Sequence, residues 1–330
     1  MAPAPESLPP FREVNHRINI VNPEACYTER HPTCPQALEA QLREELAQYE
    51  CASWWIWRPV PHACPLLCIV KKDGSLCTII DAHQRNSNTI LDVTPMPDMW
   101  TIMDSMARKI YWSKINMMDA YKQIHIEPDC IKYSGFSMPY STFESNVMQQ
   151  GDCNAPSTFQ HVLMWVFCDW IGLDVHVWFD DIFIGMNTIQ EHNECLLWVY
   201  ECIQVEKLYI SRKKFEPFTP VLDILGCKID SNGIHADSDK LSKIRNWHIP
   251  KDHTEVLQFL GLIKYLSQFL LNIRAYTGPL QNICTNHMPF QWSLLHQKCF
   301  EHVKLITCKT PILKPIIWDI PLGAPHYISH

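Results

Sequence analysis

Asp180 and Asp181 stand side by side between two apolar runs, Val175-His-Val-Trp-Phe179 and Ile182-Phe-Ile-Gly-Met186. Two like charges at the edge of a core repel each other unless a cation joins them. A hard divalent ion, which prefers oxygen ligands, would remove the conflict. A lone Asp-Asp is more often an ordinary polar turn, so its meaning depends on the rest of the chain. Apolar runs rich in Val, Phe, Ile and Trp read as strands, and the Asp pair between them as the tip of a tight hairpin.

The elements that must hold this tip follow from periodicity and turn chemistry. Leu38, Leu42 and Leu46 at i+4 spacing predict an amphipathic helix over 36–50. Pro65–Val70 and Leu76–Ile80, joined by Lys71-Lys-Asp-Gly-Ser75, predict a hairpin. Residues 110–118 read as a strand, followed by a turn into an apolar segment at 120–126. Asn154 and Pro156 suit the start of a helix after the loop at 147–153. A helix is expected over 190–208 and a short strand over Ile224–Ile229. Asp237 or Ser238 caps a helix carrying Leu241, Ile244 and Trp247. Asp252 with Glu255 resembles a capping box for a helix carrying Val256, Phe259 and Ile263.

Composition narrows the class. The 330 residues are 47% hydrophobic and 19% charged, enough chain for about two domains. A net charge of −7 has the wrong sign for gripping nucleic acid by bulk electrostatics, so such a role needs a local basic groove. Segment 237–283 carries six Lys or Arg against four Asp or Glu, a net +2. Fifteen cysteines at irregular spacings, with no Cys-x-x-Cys, read as reduced thiols in an intracellular compartment, cytoplasmic or nuclear. The Pro-rich start lacks the apolar region of a signal peptide. The most apolar stretch, 161–184, is broken by Asp169, Asp174 and the Asp pair, so no membrane span is expected. Cys284, His287, His296, Cys299 and His302 have spacings compatible with zinc, but a helix face explains them more simply.

Six segments in register carry a resemblance. They are Lys71-Lys-Asp-Gly-Ser-Leu76; Ser113-Lys-Ile-Asn-Met-Met-Asp-Ala-Tyr-Lys-Gln-Ile124; Val147-Met-Gln-Gln-Gly-Asp-Cys-Asn-Ala-Pro-Ser-Thr-Phe-Gln160; Trp178-Phe-Asp-Asp-Ile182; Ile224-Leu-Gly226; and Trp247 through Phe269. Together they resemble the reverse transcriptase of gypsy-type LTR retrotransposons. The resemblance implies an α+β right-hand polymerase with an irregular segment at 1–35, fingers at 36–110, a palm with an antiparallel sheet at 111–235 and a helical thumb at 236–283. Residues 284–330 would be a truncated connector toward a ribonuclease H domain. The chain stops about where the first ribonuclease H carboxylate is expected, so neither that activity nor a protease or integrase is expected from it.

The implied reaction is template-directed DNA synthesis from deoxynucleoside triphosphates on a primed RNA or DNA template. It uses two Mg²⁺ (or Mn²⁺) ions about 4 Å apart. The implied metal ligands are Asp180, Asp181 and a strand Asp whose place is taken by Asn116. An amide oxygen brings no negative charge to Mg²⁺. Asp119 lies three residues on, and an odd offset on a strand points to the other face, so it is not expected to substitute. Two triphosphate-binding Arg positions of the family hold Cys77 and His83. Arg offers phosphate a fixed fork of donors that neither residue matches. Other implied contacts survive. Lys71 and Lys72 would meet phosphates and Tyr121 the sugar. Gln150 and Gly151 would pack behind the new base pair. Lys213 or Lys214 would protonate pyrophosphate, and Leu225 and Gly226 would hold the primer end. Arg→Cys, Arg→His and Asp→Asn are each one C→T or G→A transition, which reads as a copy decaying by cytosine deamination. Codons at 77, 83 and 116 more than one transition from Arg, Arg and Asp would refute that.

Overall fold

The computed structural model describes residues 7–25, 27, 31–71, 74–270, 272–285, 289–307 and 312–313. Lys72, His287 and all of 314–330 lie outside them. The chain forms two compact units, one of residues 1–98 and 113–218, the other of 99–112 and 219–330.

In the first unit, helix α1 (Glu39–Cys51) follows a single helical turn, as the leucine spacing predicts, and buries Leu42 and Tyr49. Strands β1 (Trp55–Trp57), β2 (Cys64–Val70) and β3 (Leu76–Ile80) precede the short α2 (His83–Ser87). Strands β2 and β3 form the expected antiparallel hairpin, with Val70 opposite Leu76. Helix α3 (Met99–Ala107) belongs to the second unit. Then come β4 (Tyr111–Asn116), β5 (Phe136–Met138), β6 (Ser141–Ser145) and α4 (Ala155–Val166). They are followed by β7 (Val175–Trp178), β8 (Asp181–Met186), α5 (Ile189–Val205) and β9 (Glu216–Thr219).

These strands build two sheets, β1-β6-β5-β2-β3 and β7-β8-β4-β9. The first covers a core of Trp55, Leu66, Phe136 and Phe143 together with α1. The β2–β5 pairing is parallel, so this sheet is mixed. The second sheet packs Ile115, Val177 and Ile184 against Phe159 and Leu163 of α4 and Val199 of α5. Each such side chain contributes about 1.5–3 kcal/mol when fully buried.

Two local expectations are corrected, and the irregular N-terminal segment is found as expected. Asn154 occupies the N-cap of α4, but its side chain makes no cap bond. It accepts from Asp92 N–H at 3.0 Å and donates to the Ile90 carbonyl at 2.9 Å, tying down a separate segment. The single strand expected over 224–229 is a turn flanked by two strands. The N-terminal segment has no helix or strand among its described residues, only isolated bridges such as His16–Ile126. Even so, it buries Arg12, Asn15, His16 and Ile18. The Arg12 guanidinium donates to the Gln123 carbonyl at 2.8 Å and pairs with Glu206 at 3.2 Å.

In the second unit, β10 (Leu222–Ile224), β11 (Cys227–Asp230) and β12 (Gly233–Ala236) form an antiparallel meander. Helix α3 packs on β11 and β12. Among the described residues, helices α6 (Ser238–Arg245), α7 (His253–Tyr265), α8 (Arg274–Thr285) and α9 (Leu294–Thr307) follow. The Asp237 carboxylate caps α6 by accepting from Asp239 N–H at 2.9 Å. Asp252 caps α7 by accepting from Glu255 N–H at 2.8 Å. The Glu255 carboxylate accepts from Lys251 N–H at 2.8 Å, so the capping box is only half formed. Among the described residues no helix is long and apolar enough to cross a membrane.

Candidate active site

Strand β4 lies beside β8 and ends at Asn116, which brings residue 116 to the β7–β8 turn. Backbone bonds fix the junction: Met117 N–H donates to the Asp180 carbonyl at 2.7 Å and Ser211 N–H to the Asn116 carbonyl at 2.8 Å. Trp178 pairs with Asp181, so the turn is Phe179-Asp180 and Asp181 opens β8. The tip is thus one residue earlier than the position of the Asp pair suggests. Phe179 sits at φ 52°, a left-handed conformation that costs a bulky residue about 1–3 kcal/mol. Gln160 of α4, fully buried, holds it there. Its Oε1 accepts from Phe179 N–H and its Nε2 donates to the Val177 carbonyl, each at 3.2 Å. Sequence reading passed over Gln160; an amide on the buried face of a helix was its only signal.

The carboxylates themselves meet donors. Asn116 Nδ2 donates to Asp181 Oδ1 at 2.7 Å and to Asp180 Oδ2 at 3.2 Å. Lys114 Nζ lies 3.3 Å from Asp181 Oδ2. Two adjacent carboxylates suit Mg²⁺ or Mn²⁺, but residue 116 presents them with N–H donors where a two-ion centre needs an oxygen. The trio in this arrangement does not fit such a centre. Among the described residues no group of three or more His, Cys, Asp or Glu is placed to hold a metal, and that covers His296, Cys299 and His302 of α9.

A cleft of about 820 Å³ opens beside the turn. Of the residues singled out in the sequence, Lys71, Asn116, Tyr121, Gln150, Asp180 and Lys214 line it. The lining residues do not include Lys213, Gly151 or Asp181. Asp119, where the strand has already ended and the backbone turns at φ 44°, also lines the cleft, but among the described residues it forms no metal-holding trio with Asp180 and Asp181. The Tyr121 ring packs edge-on against Phe159 at 6.1 Å. Burial, with Asp180 nearby, pushes its phenol up from the usual value. Cys77 lines the cleft, its Sγ donating to Gln150 Oε1 at 3.8 Å. His83 instead stands 96% exposed and pairs with Asp81 at 2.7 Å.

One cation in the cleft was not foreseen. Lys122 Nζ is buried and donates to Glu45 Oε1 and the Tyr49 hydroxyl, both at 2.9 Å, and to Thr78 Oγ1 at 3.2 Å. Burial alone would lower its pKa, but Tyr49 and Glu45 outweigh that and hold it above the usual lysine value. Burial likewise pushes the Tyr49 phenol up to about 12. Lys122 therefore ties α1 to the Tyr121 segment.

The loop carrying Gln150 and Gly151 hangs on a buried network. Arg85 pairs with Asp152 and donates to the Tyr133 carbonyl at 3.0 Å. His16 Nε2 meets the other Asp152 oxygen at 3.2 Å. Asn86 donates to the Gly151 carbonyl at 2.8 Å. Gly151 itself has φ +119°, and a Cβ there would collide with the Ile80 carbonyl. Gly151→Ala is expected to destabilise the chain by at least about 2 kcal/mol. The urea midpoint measures this, and an unchanged midpoint would contradict the assigned backbone.

Residues 69–263 match the family described as reverse transcriptase (RNA-dependent DNA polymerase). This chain belongs to the reverse transcriptase family. The Transposon Tf2-3 and Tf2-7 polyproteins of Schizosaccharomyces pombe are each 24% identical over 253 residues, covering 77% of this chain and 19% of theirs. The chain thus spans about a fifth of the length of these curated relatives. These matches agree with the resemblance to gypsy-type LTR retrotransposons. Among solved structures, the foamy viral protease-reverse transcriptase with double-stranded DNA superposes with a TM-score of 0.81 at 19% identity, over 92% of this chain and 54% of that one. The same viral protein with an RNA/DNA hybrid gives 0.76 at 20% identity, over 92% and 42%. The fold is the α+β right-hand polymerase expected from the sequence.

Two more expected residues of this reverse transcriptase chain, Leu225 and Gly226, lie in the second unit. They form the two-residue β10–β11 turn, with φ 51° and 74°. Two consecutive positive φ values mark the mirror-image turn favoured in hairpins. The Tyr265 hydroxyl donates to the Leu225 carbonyl, and Lys240 Nζ lies 3.3 Å from the centre of the Tyr265 ring.

Proposed function

We propose that this chain is a reverse transcriptase hand that holds a primer on an RNA or DNA template, with nucleotidyl transfer severely impaired at residue 116. The observation that carries the impairment is the Asn116 amide donating to both Asp180 and Asp181. Fingers at 36–110, palm at 111–235, thumb at 236–283 and a connector from 284 are the assignments that go with this reading. Lys71, Tyr121, Gln150 and Lys214 line one cleft, which supports a deoxynucleoside triphosphate site there. Lys72, Lys213, Gly151, Leu225 and Gly226 keep the roles the family resemblance implies. Mg²⁺ or Mn²⁺ is the ion the reading requires, with Asp180 and Asp181 as its carboxylates.

Binding of primer-template is supported by relatives solved with double-stranded DNA and with an RNA/DNA hybrid. The mildly basic 237–283 segment supports weak contact that falls with salt. Free thiols at every described cysteine support a reducing intracellular compartment, cytoplasmic or nuclear. Asn116, Cys77 in the cleft and a cleft lysine already paired with Glu45 favour a second reading, a non-enzymatic nucleic-acid-binding descendant.

Primer extension on an RNA template, run beside an anisotropy titration of the same duplex, tests both. Binding with little or no extension is the expected result. Extension at the rate of Asn116→Asp would overturn the impairment. Neither binding nor extension would overturn the hand itself.

A further inference from the structure

We propose that Asn116 and Lys114 are a built-in counter-charge for Asp180 and Asp181, so that the β7–β8 turn keeps its geometry without a divalent ion and takes one up only weakly. This rests on the reading of the Asp pair as the family's metal carboxylates.

Residues 114 and 116 alternate along β4, and alternate residues share one face of a strand. That face meets the start of β8. Asn116 is 6% exposed, and its amide nitrogen reaches one oxygen of each carboxylate, at 2.7 and 3.2 Å. An amide nitrogen has two hydrogens, so a single side chain can serve both acids. Hydrogen bonds to ionised acceptors are about twice as strong as neutral ones. Lys114 adds a positive charge 3.3 Å from the second oxygen of Asp181, its Nζ lying over the Phe183 ring 5.5 Å from the centroid. Their side chains are only 17% and 22% exposed, so water screens the pair incompletely.

The turn therefore has what the Asp pair lacked when read alone: donors and a cation that remove the repulsion. An incoming ion must displace the amide hydrogens from two carboxylates and compete with an ammonium already in place. With Asp at 116 the donors vanish, a third carboxylate joins the other two, and the cluster comes to depend on an external cation.

The test is thermal unfolding of the full chain without nucleic acid, in EDTA and in excess Mn²⁺, together with Mn²⁺ titration followed by electron paramagnetic resonance. The natural chain is expected to melt at the same temperature in both media, within about 1 °C. Asn116→Asp should melt about 4 °C lower in EDTA, recover in Mn²⁺ and bind the ion at least about tenfold more tightly. Lys114→Gln, which keeps the stem, should bind Mn²⁺ a few-fold more tightly than the natural chain. If Asn116→Asp does not fold in EDTA yet folds in Mn²⁺, the proposal is supported in its strongest form. Should it fold in neither, Lys114→Gln and the natural chain decide. A natural chain that Mn²⁺ stabilises as much as the variant, or that already binds the ion tightly, overturns the proposal. Tighter Mn²⁺ binding by Asn116→Asp with neither primer-template binding nor extension would sink the polymerase reading and leave the counter-charge standing.

Discussion

Primer extension by Asn116→Asp is expected to exceed that of the natural chain by at least about a hundredfold in Mg²⁺. Removing one preorganised electrostatic group from an active site costs about 10²–10³ in rate, and restoring it should return a comparable factor. The natural amide both lacks a charge and covers the two carboxylates that remain. Affinity for primer-template should change little, because residue 116 is only 6% exposed. Cys77 caps the gain, since a thiol that lines the cleft offers phosphate no bidentate fork. Adding Cys77→Arg should therefore raise extension again, and through a lower KM for the triphosphate. His83→Arg should add less, because His83 stands almost fully exposed beside Asp81. Steady-state extension of a labelled primer checks all three. If the natural chain is within about threefold of Asn116→Asp, residue 116 is not the lesion.

Arg85→Leu is expected to destabilise the chain by about 3–5 kcal/mol, since it strands Asp152 as a buried charge. That corresponds to a fall in Tm on the order of 10 °C. Arg85 is 3% and Asp152 7% exposed. The double variant Arg85→Leu, Asp152→Leu should recover part of the loss, because removing both partners is far less costly than removing one. His16 also meets Asp152, so full recovery is not expected.

The same pair sets a pH dependence. Burial by itself would raise the Asp152 pKa, but Arg85 and His16 outweigh it and hold the carboxyl below the usual range. The unfolded chain then binds this proton more readily than the folded one. The stabilisation is present above the ordinary carboxylate pKa and is lost as pH falls through that range toward the folded value. Denaturation midpoints at neutral and acid pH should show a steeper acid loss for the natural chain than for the double variant. Equal slopes would mean that Asp152 carries none of it.

Helix α1, the β2–β3 hairpin, α5 and the caps of α6 and α7 were legible in the sequence because their signals are local. Leucine spacing, a Lys-Lys-Asp-Gly-Ser turn and Asp at an N-cap act within one or two turns of chain. The family was legible because six short segments keep their order, and the Asn at 116 was visible as a departure from it. What residue 116 does was not visible, since its partners are 64 and 65 residues away and meet it only because β4 lies beside β8. Nothing in the sequence marked Lys114 or Lys122 for the pairings with Asp181 and Glu45 that the fold gives them. The Arg85–Asp152 pair spans 67 residues and has no periodic signature. Asp119 reaches the cleft lining because β4 has already ended at Asn116, beyond which strand parity does not apply. Sequence by itself determined which elements form and which chemistry they inherit, because both depend on short-range patterns. Tertiary structure alone decided which charges cancel, because that depends on distances of about 3 Å between residues far apart in the chain.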